Sequence, residues 1–514
     1  LLQWLLLFSV REPTWDAVSY YVYARSALFD QDLQFDNDYR LSYATAGEHF
    51  ASKQLDQVET STGRTANLFA IGTPILWLPW LAVLRLAASI SLLMPGGASF
   101  SGYERFFVGN IATLSALLGF LAYLASYRVA QGATNRFLAL ASSVTLMFVT
   151  PLLYYQFREP MYSHTASALT VALCVAVWWK QHEEIGTAWQ ALSLGALIGL
   201  AGLVRWQNIT YLFLPLVSIV LLWIRQPAPG RRQALKRVVV YLLLVGAAAL
   251  VVFSLQLSVW KVLYGSFITI PQGNTFIDWR PLFLTPFLFS SFRGLLAWMP
   301  IFFLAVIGLL ALSRKRALLG LPLLFMMLLA VYINGGTRDW FAGGGYGPRR
   351  LSSELVLLLV GYAAFLQLIP HRYRTGGAAL LGIGLALQQW LLLRFGLVEA
   401  LGGRVMSMAP TFHWEDVPLP QFAGDVLALV PRIWEQPLDV LVFPSSPLDF
   451  FLRQQTVPVQ HIATMLSSTL FLLLVTLGLI LLRGRSRRTS SRLVVMVLTV
   501  VCLGLANLWI LLGS

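Results

Sequence analysis

Long apolar runs separated by short polar breaks dominate the chain. They cover residues 106–127, 137–155, 164–180, 187–204, 209–224, 238–262, 295–313, 317–333, 351–369, 376–396, 461–482 and 493–513. About 20 mostly apolar residues suffice to cross a bilayer as a helix, and most of these runs approach or exceed that length. Residues 1–10, "LLQWLLLFSV", read as the end of a further membrane helix. A signal peptide fits them less well, because no small-residue cleavage site follows. Buried helices of a soluble protein would explain one or two such runs, but not a dozen. The pattern predicts an all-α polytopic membrane protein. Composition agrees, with 57% hydrophobic and 12% charged residues, against about 25% charged in ordinary globular domains.

The formal net charge is +14, which raises the question of nucleic acid. The placement of the charges argues against it. "RQPAPGRRQALKR" (225–237), "RKR" (314–316), "HRYR" (371–374) and "RGRSRRTSSR" (483–492) are short clusters between apolar runs, as cytoplasmic loops are under the positive-inside rule. Cys174 and Cys502 both fall inside apolar runs, so no disulfide framework or cysteine metal site is expected.

With the basic loops fixed inside, the opposite face collects 11–104, "REPMYSH" (158–164), "VRWQN" (204–208), 263–294, 334–350 and 397–460. Residues 67–94 are apolar enough to span, but a span there would invert the bookkeeping. Pro74 and Pro79 also each remove a helix hydrogen bond. A re-entrant or surface-lying segment is expected instead. About thirteen spans result. The expected organisation is 1–10, end of the first transmembrane helix; 11–104, a long first extracytoplasmic loop with interfacial or re-entrant helices; 105–396, the transmembrane core; 397–460, an extracytoplasmic segment; and 461–514, a C-terminal helix pair.

Three polar stretches on that face carry candidate chemistry. In "REPTWDAVSYYVYARSALFDQDLQFDNDY" (11–39), Thr14 or Asp16 is suited to open a helix. Its aromatic positions suit an interfacial helix. Asp16 reads either as a helix cap or as a functional carboxylate; Asp30, Asp32, Asp36 and Asp38 read as exposed turn residues. "YYQFREPMYSH" puts Glu159 and His164 at a helix mouth, and two converging carboxylates can divide base and orienting roles. "NGGTRDWFAGGGYGPRRLSSE" (334–354) supplies glycines and the paired Arg349 and Arg350, suited to a phosphate; the alternative is a flexible loop with snorkelling arginines. Arg293 and Arg205 lie at two further helix mouths, where an arginine implies a partner.

The order of these motifs resembles the GT-C glycosyltransferases, integral membrane enzymes that use polyprenyl-phosphate sugars. It is most similar to the branch of protein O-mannosyltransferases and lipid A aminoarabinose transferases. Asp16, Tyr20, "ARSAL", "DQDL" and "DNDY" match the family's first loop, and "NLFAIGTPILWLPW", "REPMYSH", "GLVRWQ", "FSSFRGLLAWMP" and "WFAGGGYGPRR" follow in the family's order. The likeness covers about residues 11–355. It implies a GT-C fold and an inverting sugar transfer at the extracytoplasmic face. By the same resemblance Asp16 is the acceptor-activating base and Glu159 the second acid. Arg293, Arg349 and Arg350 bind the donor phosphate, with Tyr20, His164 and Arg205 as accessory residues. Ala17 stands where the family commonly has Glu, which leaves the acceptor type and any divalent metal ion open. The expected partners are a polyprenyl-phosphate sugar, a lipid, glycan or protein acceptor, and membrane lipids. A transporter or flippase and a non-catalytic subunit with a degenerate GT-C site are the rival readings.

Overall fold

The computed structural model describes residues 16–446 apart from 45–58, 92–99, 226–230, 274, 281–282, 344, 394–418, 438–440, 442 and 444–445, together with Gln3, Leu7, Phe8 and Pro13. The expected helices at 1–10, 461–482 and 493–513 and most of 397–460 lie outside the described residues. Among those described, the fold is helical, with only isolated bridges between Glu59 and Thr65 and between Ile277 and Thr337.

The apolar runs become helices α1 (Asp16–Arg25), α2 (Asp36–Ala44), α3 (Gly72–Ser91), α4 (Arg105–Ala133), α5 (Arg136–Val149), α6 (Leu152–Phe157), α7 (His164–Trp179), α8 (Ala188–Val204), α9 (Phe213–Arg225) and α10 (Arg231–Tyr264). The short α11 (Leu284–Phe289) and α12 (Leu295–Trp298) precede α13 (Ile301–Lys315) and α14 (Ala317–Gly335). A 3₁₀ turn, Arg349–Glu354, leads into α15 (Leu355–Leu366), and α16 (Arg374–Leu391) follows at 115° to it. Helices α17 (Leu419–Ala428) and α18 (Arg432–Glu435) fall within residues 397–460. Five of the described helices are long and apolar enough to cross a membrane, or six counting the bent pair; α5, α7 and α8 are shorter apolar helices. The chain is a multi-pass membrane protein. Helix α10 shows why: Leu243, Leu250 and Val251 are exposed along it, which water would penalise and lipid does not.

Small residues set the closest helix contacts. Gly195 and Gly199 of α8 lie so close to α10 that a Cβ on either would strike main-chain atoms of Val245 and Ala249. Gly308 of α13 and Gly361 of α15 meet in the same way. Apolar side chains gain little by meeting each other rather than lipid, so backbone proximity is the usual driving contact between membrane helices.

Proline steps divide two predicted spans. Thr150, before Pro151, is extended, as the residue preceding proline prefers, and this separates α5 from α6. Met299, before Pro300, separates α12 from α13. Two expectations need correction. Helix α3 runs unbroken through both prolines: Pro74 falls in the first turn, where no helical acceptor is lost, and Pro79 is carried by packing. Trp77, Leu81, Leu84 and Ala88 form one buried stripe on it, clustered with Ala17, Tyr21, Phe107 and Ile111. Helix α1 is not an interfacial helix with one wet face, since every residue from Ala17 to Arg25 is buried. A helix covered on all sides lies inside protein.

Candidate functional site

Pro13 precedes α1, and Asp16 is the first residue of that helix and half-exposed. One turn on, Tyr20 lies on the same face, and its hydroxyl donates to Ser163 Oγ at 2.8 Å. That bond fixes α1 against the loop between α6 and α7, residues 158–163. The loop begins where α6 ends and turns through Glu159 and Pro160, with the Tyr162 amide donating to the Glu159 carbonyl at 3.3 Å. Tyr162 is buried, and burial pushes its hydroxyl well above the ordinary phenol range, with the charges of Asp16 and Glu159 adding to the shift. Both predicted carboxylates therefore act on one phenol. They converge on Tyr162 from α1 and from the 158–163 loop.

The third wall comes from residues 337–350. Ala342 and Gly343 both adopt left-handed backbone (φ 61° each), a conformation that costs a residue with a Cβ roughly 1 kcal/mol. The bend turns successive carbonyls onto arginines. Arg293 donates to the carbonyls of Phe341 (3.0 Å) and Gly343, and Arg349 Nε donates to that of Ala342 (3.0 Å). The Gly343 amide donates to Asp339 Oδ1 (2.8 Å) and the Tyr346 amide to the Tyr155 hydroxyl (2.7 Å). The glycine-rich loop thus meets cations with its carbonyls, where the sequence suggested amides facing an anion.

Arg349 reaches out of this loop. Its Nη1 donates to Asp16 Oδ2 at 2.8 Å, joining residues 333 positions apart. Its guanidinium also lies over the Tyr162 ring, 5.5 Å from the centroid. Arg350 turns the other way, to Thr337 Oγ1 (2.6 Å) and Asp339 Oδ2 (2.8 Å). Arg293 is almost wholly buried, and burial pulls its guanidinium down to about 10. Arg205 follows α8 directly and donates to His164 Nδ1 at 3.2 Å. It lies within the fields of Asp16, Tyr20 and Arg349. The eight predicted residues therefore divide. Asp16, Tyr20, Glu159, His164, Arg205 and Arg349 form one cluster of contacts and fields about Tyr162 and Ser163, while Arg293 and Arg350 brace the loop beside it.

Of the acids read as exposed turn residues, Asp32 is exposed and forms a turn as expected, whereas Asp30 and Asp38 are drawn onto Arg25. Asp38 is fully buried, accepting from Arg25 Nη1 at 3.1 Å and from the Tyr103 hydroxyl at 2.9 Å. Arg25 also pairs with Asp30. Asp32 accepts from Ser26 Oγ (2.7 Å) and the Gln34 amide (3.0 Å), and Asp36 pairs with Arg40 one turn away. Arg25, at the end of α1, thereby holds α2 through Asp38. Tyr155, Tyr162, Ser163 and Asp339 were not singled out from the sequence. The signal for Tyr155 is a phenol near the end of an apolar run.

Among the described residues no three His, Cys, Asp or Glu side chains gather as a metal cage, and Asp16 is committed to Arg349. Among the described residues the donor set does not fit a divalent ion. A cavity of about 770 Å³ lies elsewhere, lined by Glu183, Thr187, Trp223, Lys236 and Tyr241 among others. It sits at the start of α8, a helix about 25 Å long at 1.5 Å per residue, whereas Arg205 follows its end.

No family model matches the sequence, and no curated protein does. Solved structures do resemble it. One is ArnT from Cupriavidus metallidurans in the apo state (15% identity, TM-score 0.46, covering 99% of this chain and 74% of that one). A second is the same protein bound to undecaprenyl phosphate (15%, 0.43, 99% and 75%). A third is the oligosaccharyltransferase of Archaeoglobus fulgidus in complex with Zn and sulfate (12%, 0.43, 80% and 56%). The likenesses are remote, and the functional reading rests on the site's own geometry and on the order of the motifs.

Proposed function

We propose that the chain transfers a sugar from a polyprenyl-phosphate donor to an acceptor at the extracytoplasmic membrane face, with inversion at the anomeric carbon. The observation that carries this reading is the Asp16–Arg349 pair beside Glu159 and Tyr162. A base and a cation 2.8 Å apart are the two groups such a displacement needs. Asp16 takes the proton of the acceptor hydroxyl as its oxygen attacks the anomeric carbon. The bond from that carbon to the phosphate oxygen breaks, and the polyprenyl phosphate leaves with the electron pair. Arg349 meets the charge that develops on it. Glu159 orients the acceptor. Arg293 and Arg350 act on the phosphate through the loop whose carbonyls and Asp339 they hold.

The pair also implies an order of events. Without donor, Arg349 occupies Oδ2 of Asp16, the oxygen that would otherwise be open to the acceptor hydroxyl. The donor phosphate competes for Arg349 and frees the carboxylate oxygen, so the base is open to an acceptor only when there is a leaving group to displace.

The direct test incubates membranes containing the chain with a panel of labelled polyprenyl-phosphate sugars and follows label into lipid, glycan and protein fractions. Transfer that disappears in Asp16→Asn supports the reading. Movement of intact donor between leaflets of proteoliposomes, with no sugar transferred by wild type, would replace it with a flippase.

A further inference from the structure

We infer that Arg205 is a second arm for the donor phosphate, and that His164 is the positioning residue that couples it to Arg349. The inference rests on the sugar-transfer reading and concerns the same site.

Arg205 adopts extended backbone (φ −147°, ψ 115°) immediately after α8, its amide closing the helix on the Ala201 carbonyl. The end of α8 is anchored by Gly72, which packs against the main chain of Leu203 and Val204. The side chain is half-buried. Its hydrogen bond from Nη1 goes to a neutral acceptor, His164 Nδ1, and a guanidinium carries five N–H donors. The other arginines of the site are spent differently. Arg349 serves Asp16 and Ala342, Arg350 serves Thr337 and Asp339, and Arg293 serves two loop carbonyls. Glu354, whose field also reaches Arg205, accepts from the Tyr211 hydroxyl. Arg205 is therefore a cation of this cluster whose hydrogen bond meets no carboxylate. A cation so placed favours an anionic partner.

His164 makes the arrangement more than proximity. Arginine can only donate, so Nδ1 of His164 must accept, and the ring is the tautomer with hydrogen on Nε2. On its other side the imidazole lies against Tyr162, whose ring also carries the Arg349 guanidinium, 5.5 Å from the centroid. Tyr162 thus couples the Arg349 guanidinium to the imidazole that Arg205 bonds. The ring of Tyr155 packs against it at 4.1 Å between centroids, and that of Tyr162 lies nearly parallel (17°) at 6.1 Å. These contacts hold the imidazole plane. A phosphodiester presents two non-bridging oxygens, one for each guanidinium fork.

The test uses the full chain in nanodiscs with undecaprenyl phosphate as the probe, measuring its dissociation constant separately from transfer. Arg205→Met is expected to weaken binding about tenfold, the loss of one charge-assisted contact. Arg205→Lys, which keeps the charge and loses the fork, falls between it and wild type. His164→Leu weakens binding several-fold, whereas His164→Gln, whose amide both accepts and donates, stays within about twofold of wild type. In an Arg205→Met background, His164→Leu has a smaller effect than it has alone. Unchanged binding in Arg205→Met, or equal losses in His164→Leu and His164→Gln, would overturn the assignment while the sugar-transfer reading stands. A wild-type chain that binds no undecaprenyl phosphate would overturn both.

Discussion

Replacing Asp16 by Asn separates the two jobs its carboxylate holds. The amide keeps the size and one acceptor oxygen, so Arg349 retains a partner, but the base is gone. Positioned general bases contribute about 10² to 10⁴ in rate, and transfer should fall by that factor, roughly 3–5 kcal/mol of barrier. Binding should move the opposite way. The Asp16–Arg349 hydrogen bond of 2.8 Å is charge-assisted, worth about 1 kcal/mol more than its neutral replacement. With about a quarter of the Asp16 side chain exposed, solvent screening trims that difference. The phosphate no longer competes with a carboxylate for Arg349, so undecaprenyl phosphate should bind Asp16→Asn about threefold to fivefold more tightly than wild type. The assay pairs single-turnover transfer with equilibrium binding on the same nanodisc preparation. Wild-type transfer by the variant removes Asp16 from the chemistry. Weaker binding refutes the competition, and would mean that the carboxylate orients Arg349 for the phosphate.

Three further outcomes follow from the geometry. Glu159→Gln should lower the turnover number at least tenfold with undecaprenyl phosphate affinity unchanged, since the role proposed for Glu159 is to orient the acceptor; a loss confined to donor binding would contradict this, and the two measurements above decide it. Gly345→Ala places a Cβ 2.5 Å from the Tyr155 hydroxyl and 2.8 Å from Arg349 Cδ, so Arg349 must shift and transfer should fall by about tenfold or more, a 1 Å displacement being costly in a catalytic site; full activity would show that the loop yields without moving Arg349. Burial raises the Asp38 carboxyl to about 6, so between about pH 4 and pH 6 the folded chain holds a proton that the unfolded chain has lost, and stability falls as pH rises through that window, by roughly 3 kcal/mol. Asp38→Asn should remove that component from a melting-temperature profile in detergent, and an unchanged difference curve would contradict the burial.

What was legible in the sequence was whatever depends on one segment at a time. Apolar length located the described helices, and the ends of α4, α7, α8, α13 and α14 fall near the predicted runs. Neighbourhood was less legible. An apolar aromatic helix reads the same whether its second face meets lipid headgroups or protein, so α1 looked interfacial although α3 and α4 cover it. Proline reads as a break unless surrounding packing carries the helix across it, and the Trp77–Ala88 stripe of α3 does so. Acids spaced two or four apart read as solvated until a single arginine is found among them, as Arg25 is found between Asp30 and Asp38.

The arginines show where the limit lies. Sequence identifies them as cations at helix mouths, and adjacency makes Arg349 and Arg350 look equivalent. The left-handed step at Ala342 and Gly343 separates them. It sends Arg349 to a carboxylate 333 residues away and Arg350 back to Asp339 in its own loop. Arg205, with no glycine-rich loop around it, carried the weaker motif, yet it sits on rigid α8 and meets a neutral histidine. A cation already paired to an acid or to carbonyls must surrender those bonds to take a phosphate; one resting on an imidazole gives up much less. Affinity for an anion therefore follows the partner each arginine has when the site is empty, which is a property of the fold and not of the motif.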